Sequence, residues 1–196
     1  MNTYTDPILK DVPLFFATRR MTLRCPQPGD GLEYFRAVQD SLAELCPWFD
    51  MSREETLDGC ESRMRQAQAR FLAREAFEFL MFRHDHPEIV GRVGLSGANW
   101  QTPSFEMGYW IRTPYAGQGL MTEAVTGLTR FALQVLGANR VAIFCNQQNE
   151  RSAAVARRAG YRFEGVIHND RRHFSTGELV NTGVFSFTPD LLAGVL

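Results

Sequence analysis

The chain has 196 residues, with 21 basic and 22 acidic side chains and a formal net charge of −1. Hydrophobic content is 44% and charged content 22%, the balance of a chain that buries a core without metal or disulfide staples. Near-neutral charge argues against a broad nucleic-acid or anionic-membrane surface, and the scattered Cys25, Cys46, Cys60 and Cys145 form no CxxC pair for zinc or thioredoxin-like chemistry.

No stretch approaches the ~18 apolar residues of a membrane span, and residues 1–20 lack the apolar run of a signal peptide. A cytoplasmic protein is expected. Residues 1–12 read as an N-terminal arm and 13–196 as one domain.

Residues 15–23 alternate apolar, aromatic and polar side chains, and predict a strand ended by Pro26 and Pro28. Asp30 is placed to cap a helix to about Leu45, with Leu32, Phe35, Val38, Leu42 and Leu45 at helical spacing. Pro47-Trp48-Phe49 interrupts it. Ser52 and Glu55 have capping-box spacing, and a helix from there to about Glu75 fits.

Strands are predicted at Phe77–Arg83, Ile89–Leu95 and Ser104–Ile111. His84-Asp85-His86-Pro87 reads as a polar turn in preference to a metal site. A helix follows over Leu120–Leu136, with Met121, Val125, Leu128, Ala132 and Val135 on one stripe and Gly137 as its stop. Arg140–Cys145 is a short buried strand. Asn149 caps a helix ended by Gly160, and residues 161–187 predict a long hairpin turning at Thr176-Gly177. The mixture of hairpins and crossovers fits an α+β class, and neither a doubly wound sheet nor a sandwich.

Tyr115-Ala116-Gly117-Gln118-Gly119-Leu120-Met121 lies between a strand and an amphipathic helix. Glycines there let backbone amides and a helix N-terminus approach an anion such as a diphosphate. A plain strand-to-helix turn explains the loop equally well. Thr122 stands where a dinucleotide fold has its third glycine, and Leu120 where a Walker motif has lysine, so both motifs are excluded.

Two blocks together carry a resemblance. Glu106-Met107-Gly108-Tyr109-Trp110-Ile111 with Gly117-Gln118-Gly119-Leu120-Met121-Thr122-Glu123-Ala124 is one. Asn146, Asn149, Ser152, Val155, Gly160-Tyr161 and Phe163-Glu164-Gly165 form the other. They resemble the GNAT acetyltransferase family, most closely its RimL/RimJ-like branch of ribosomal-protein N-terminal acetyltransferases. Residues 41–48 agree, and the similarity spans about residues 14–188.

The resemblance implies a central mixed, mostly antiparallel, twisted sheet flanked by helices. It also implies acetyl transfer from acetyl-CoA to a primary amine by direct attack in a ternary complex. No metal is expected, and a homodimer is an expectation from relatives. Acetyl-CoA would lie on Ile111, Gly117, Gln118, Gly119, Leu120, Met121, Thr122 and Asn149. Ala116 departs from the Gln or Arg that usually opens this loop.

Ser152 matches the serine that serves the departing thiolate; alone, it reads as a solvated first-turn serine. Glu106 is a candidate general base or a sheet-face carboxylate paired with an arginine. Where relatives carry a carboxylate late in the first hairpin strand, the register places Arg171. Arg157 and Arg158 are placed to reach the adenosine phosphate, but read in preference as complementing their helix C-terminus. Trp48 is the acceptor-side candidate. The acceptor is expected to be a protein N-terminal α-amine, with a small amine such as an antibiotic or polyamine as the alternative. A non-catalytic acyl-CoA-binding module is the reading of another class, motivated by Ala116 and the unplaced base and opposed by Ser152.

Overall fold

The computed structural model describes residues 6–51 and 56–194. The strands are β1 (Phe15–Ala17), β2 (Met21–Arg24), β3 (Phe77–Arg83), β4 (Ile89–Asn99), β5 (Ser104–Ile111), β6 (Arg140–Asn146), β7 (Arg162–Arg172) and β8 (Leu179–Phe187). They form one sheet in the order β1-β2-β3-β4-β5-β6-β8-β7. Only the β5–β6 pair is parallel. The helices are α1 (Gly31–Gln39), α2 (Leu42–Leu45), α3 (Leu57–Leu72), α4 (Leu120–Phe131) and α5 (Glu150–Arg158). This is the mixed, mostly antiparallel sheet with flanking helices that the sequence predicts.

Strand alternation divides the core between the two faces. Phe79, Met81, Val93, Phe105, Met107, Val141 and Ile143 pack with Leu120, Leu128 and Ala156 of α4 and α5. Leu80, Ile89 and Trp110 pack on the other face with Tyr34, Val38, Cys60 and Met64 of α1 and α3.

Several boundaries differ from expectation. Residues 15–23 form two strands, because Thr18 donates its N–H to Met21 O at 2.8 Å and turns the chain. The expected helix over 30–45 breaks at Ser41, whose hydroxyl donates back to Ala37 O at 2.9 Å. Leu32 is exposed, and Tyr34 and Ala37 take the buried stripe instead.

Asp30 does not cap that helix. Its carboxylate accepts from Arg24 at 2.6 and 2.7 Å and from Gln27 N at 2.7 Å. The first amides are satisfied from α3: Glu61 accepts from Gly29 N at 3.0 Å and Gly31 N at 3.1 Å. The approach needs glycine, since a Cβ on Gly31 would lie 2.5 Å from Glu61 Cα.

Ser52 and Glu55 lie outside the described residues. The observed cap of α3 is Thr56, which accepts from Gly59 N at 3.0 Å. That helix stops at Leu72, and Arg74 behind it holds φ 63° while its guanidinium bonds Phe71 O and Lys10 O. The described part of the arm is thereby docked. After Phe131 the helical path continues as a π turn over Ala132–Leu136 to Gly137, at φ 74°.

Candidate active site

The β5–β6 pairing is short. It joins Ser104, Phe105 and Glu106 to Arg140, Val141 and Ala142 and then ends. β5 continues along β4 to Ile111, and β6 continues along β8 to Asn146. The two strands leave a gap bordered by Met107–Ile111 on one side and residues 143–146 on the other. α4 starts at one rim of the gap and α5 at the other.

The glycine loop lies at the α4 rim. Gly117 and Gly119 have φ of 77° and 75°, the left-handed region that favours glycine. The first turn of α4 closes with Glu123 N donating to Gly119 O at 3.1 Å. The amides before Glu123 have no acceptor within the helix and form an anion-seeking end.

Two cationic side chains, Arg20 from the β1–β2 turn and Arg83 from the end of β3, frame this loop. Arg20 donates to Glu123 through its backbone N–H (2.8 Å) and Nε (2.6 Å) and to Gln118 O at 3.0 Å. Arg83 donates to Gln118 Oε1 at 3.4 Å. Gln118 also bonds Pro114 O at 3.2 Å, so its side chain belongs to the loop. Leu120 and Met121 are buried in the core, leaving only their backbones for a ligand. Ile111 packs against the same core.

Thr122 Oγ1 accepts from Arg158 Nε at 3.3 Å. Arg158 thus reaches across to the first turn of α4, where Gly119, Thr122 and Arg158 share the lining of a groove of about 810 Å³. This differs from the helix-terminus role expected for it. Its neighbour Arg157 lies 3.7 Å from Glu150 at the start of the same helix, with its guanidinium over the Phe185 ring.

At the α5 rim, Asn149 Oδ1 accepts from Ser152 N at 3.0 Å and caps the helix. Ser152 therefore sits in a fixed first turn. Tyr109 of β5 spans the gap to meet it: its hydroxyl donates to Ser152 O at 2.9 Å and lies 3.1 Å from Ser152 Oγ. Burial pushes the Tyr109 phenol up to about 12, against the lowering effect of its bond to Ser152. Burial also raises the Cys145 thiol, offset in part by a hydrogen bond with Ser152. Three neutral X–H groups converge at this rim.

Glu106 is the last β5 residue paired with β6, at the apex of the gap. Alternation puts it on the face of Trp110, opposite Met107 and Tyr109. It is exposed. The structure thus brings Ser152, Asn149 and the glycine loop to one side of the gap and Glu106 to the other.

A second carboxylate lies on the Glu106 side. β7 is bulged between Ile167 and Arg171, with Asn169 at φ 52°. The bulge turns Asp170 inward, where it accepts from the buried Thr182 Oγ1 at 2.7 Å and from Arg171 Nε at 2.8 Å. Those two bonds hold its carboxyl below the usual range. Thr182 pairs with Asn146 at the end of β6. Arg171 stands at the position the sequence register gives, and the carboxylate found beside it, one residue earlier, is Asp170.

Trp48 is half-buried behind α2. The tip of the β7–β8 hairpin reaches its segment, with His173 Nε2 3.0 Å from Pro47 O. The α1–α2 junction is bolted to the strand before the glycine loop. Arg112 is buried and pairs with Asp40 at 2.6 Å, Glu88 at 3.0 Å and Glu33 at 3.2 Å. Ser41 Oγ accepts from Thr113 N at 3.0 Å. His84 and His86 occupy the β3–β4 turn, and no group of three or more metal-ligating side chains is found among the described residues.

This arrangement coincides with known proteins. The chain is 36% identical to Bacillus subtilis YdaF over 77 residues, 39% of this chain and 42% of that protein. It is 27% identical to the ribosomal-protein-serine acetyltransferase of Escherichia coli over 121 residues, 62% of this chain and 64% of that one. It therefore spans under two thirds of the length of both relatives. RimL, a ribosomal L7/L12 α-N-protein acetyltransferase solved with coenzyme A, superposes with a TM-score of 0.81 over 92% of this chain and 98% of its own. At 19% identity that likeness is one of fold. The acetyltransferase (GNAT) domain matches residues 20–162, most of the chain, and the protein belongs to the GNAT acetyltransferase family.

Proposed function

We propose that residues 13–196 act as one enzyme that transfers the acetyl group of acetyl-CoA to a protein N-terminal α-amine. The observation that carries this reading is Ser152, held by Asn149 and Tyr109 at the gap, with the glycine loop on the facing rim. The amides of Gly117, Gln118, Gly119, Leu120, Met121 and Thr122 receive the diphosphate. Arg20 and Arg83, paired with Glu123 and Asp85, place guanidinium donors beside the loop that Ala116 does not. Ile111 and the free Asn149 amide N–H₂ border the pantetheine arm.

The amine enters from the α1–α3 face, past Trp48, and attacks the thioester carbonyl carbon. Before the attack Glu106 takes one proton from the entering ammonium, directly or through water, and the second nitrogen proton leaves to solvent as the amide forms. The tetrahedral intermediate then breaks its C–S bond, and Ser152 donates a hydrogen bond to the departing thiolate. The names of the relatives support a ribosomal-protein terminus as acceptor and hence a cytoplasmic setting. No described helix is long and apolar enough to cross a membrane.

An α-amine with pKa near ~8 costs about 1.4 kcal/mol to deprotonate at neutral pH, against about 4.6 for lysine near ~10.4. The first is within reach of a modest base such as Glu106. Calorimetry with coenzyme A tests the cosubstrate site: binding is expected to wild type and to be lost in folded Gly119→Asp. Mass spectrometry of peptides carrying a free terminus and an internal lysine tests the acceptor. Acetyl is expected on the terminus; acetyl mainly on the lysine overturns the assignment.

A further inference from the structure

We infer that Tyr109 is a positioning residue that sets the direction of the Ser152 hydroxyl hydrogen. This rests on reading Ser152 as the donor to the leaving thiolate.

The argument is one of hydrogen counting. A phenol has one O–H. Tyr109 Oη has two acceptors within reach, Ser152 O at 2.9 Å and Ser152 Oγ at 3.1 Å. If the phenol donates to the carbonyl, Ser152 Oγ–H donates back to the phenol oxygen and points away from any ligand. If the phenol donates to Oγ, the serine hydrogen is released to donate elsewhere. The pair has two states with the same heavy-atom positions.

The other neighbour of Ser152 is the Cys145 thiol, a weak partner whose S–H can donate to Oγ in either state and does not choose between them. Ser152 N is occupied by Asn149 Oδ1. The phenol stays protonated across the working range because it is buried. With no negative charge nearby, donation to the carbonyl is the better bond, as carbonyl oxygens are the stronger neutral acceptors. A thiolate developing beside Oγ reverses the preference. The serine hydrogen turns to sulfur, and the phenol hydrogen moves behind it onto Oγ, strengthening the serine as a donor through a two-bond chain. No covalent bond to Tyr109 or Ser152 is made or broken; only the two O–H groups rotate.

The sheet is built to allow this. Tyr109 lies beyond the last β5–β6 pair, so its side chain crosses a gap that a continued ladder would have closed. With phenylalanine there, the serine hydroxyl loses its phenol partner, keeps only the weak Cys145 thiol, and becomes a first-turn rotor free to bond back to the preceding turn.

The experiment combines kinetics with a binding measurement. Tyr109→Phe is expected to lower kcat roughly tenfold while the KM for acetyl-CoA stays within about twofold. Ser152→Ala is expected to lower kcat more, and adding Tyr109→Phe to it to change nothing further. The ultraviolet absorbance of thiolate, followed against pH, reports the thiol pKa of bound coenzyme A independently of turnover. That pKa is expected to rise in both single variants by about one unit.

Multiplicative kcat losses, or a bound-thiol pKa unmoved by Tyr109→Phe but raised by Ser152→Ala, overturn the role of Tyr109 alone. A wild-type kcat in Ser152→Ala overturns the underlying reading of Ser152, and the inference falls with it.

Discussion

At the scale of single residues, the base is the open assignment, and two carboxylates on one face compete for it. Asp170 is committed: Thr182 and Arg171 satisfy it and hold its pKa down, which makes it a poor proton acceptor. Glu106 stands at the apex of the gap and is exposed. Glu106→Gln is therefore expected to lower kcat/KM for a peptide by ~100-fold near neutral pH, and Asp170→Asn by less than about tenfold. The sign of the pH dependence follows from the acceptor. As pH rises through the amine pKa near ~8, the free amine supplies itself and the Glu106→Gln deficit shrinks. Parallel pH profiles of the two variants check this, and the opposite ranking moves the base to the hairpin.

These residues were unequally legible. Asn149 as a cap and the two glycines as a turn are read from local spacing, because a cap and a turn act over three or four residues, while Ser152 is read only from the family resemblance. Tyr109 and Ser152 are 43 positions apart and meet only because β5 and β6 separate. Asp170 was hidden by a bulge, which moves a side chain to the other face without changing composition.

At the scale of elements, the acceptor-side layer depends on how α3 is pinned to the sheet. Glu78 of β3 accepts from Arg63 of α3 at 3.1 Å and pairs closely with Arg92 of β4. Burial alone would raise the Glu78 carboxyl; Arg92 and Arg63 outweigh it and hold it below its ordinary value. A carboxylate with a depressed folded pKa contributes stability that is complete above its unfolded pKa and is lost as pH falls through the folded one. Glu78→Gln leaves two guanidiniums beside a neutral amide. It is expected to cost about 3 kcal/mol at neutral pH. The difference from wild type begins to narrow as pH falls below about 4.5, where the unfolded chain takes up the proton, and closes once pH passes below the lowered value of the folded carboxyl. Denaturant unfolding at several pH values measures both features, and a deficit independent of pH assigns the loss to packing.

Element boundaries were legible where the chain signals them chemically. Ser104–Ile111 and Phe77–Arg83 are found as read, between polar turns. The β1–β2 hairpin was not, because its turn is made by Thr18 bonding Met21 with no glycine or proline to mark it. The α1–α2 break was not either: Ser41 bends the chain through a bond to its own preceding turn and to Thr113, a partner 72 residues on.

At the scale of the whole molecule, the separation of faces dictates the order of chemistry. The glycine loop and Ser152 are on the α4–α5 side, while Glu106, Asp170 and Trp48 are on the α1–α3 side or its edge. The gap between β5 and β6 is the passage between them. In the mechanism proposed above, a donor and an acceptor in separate layers do not exclude one another, and the acetyl group passes once between them while both are bound. The nucleophile nearest the gap, Cys145, is buried and its thiol is raised by that burial, which leaves it little thiolate to carry an acetyl group. Initial rates at varied acetyl-CoA and peptide are therefore expected to give intersecting reciprocal lines. Cys145→Ala is expected to keep kcat within about twofold of wild type, and mass spectrometry of enzyme mixed with acetyl-CoA alone to find no acetyl adduct. Parallel lines with an acetylated Cys145 would establish a ping-pong route through the thiol. The gap would then be a place where acetyl is parked, and the two faces would be used in turn.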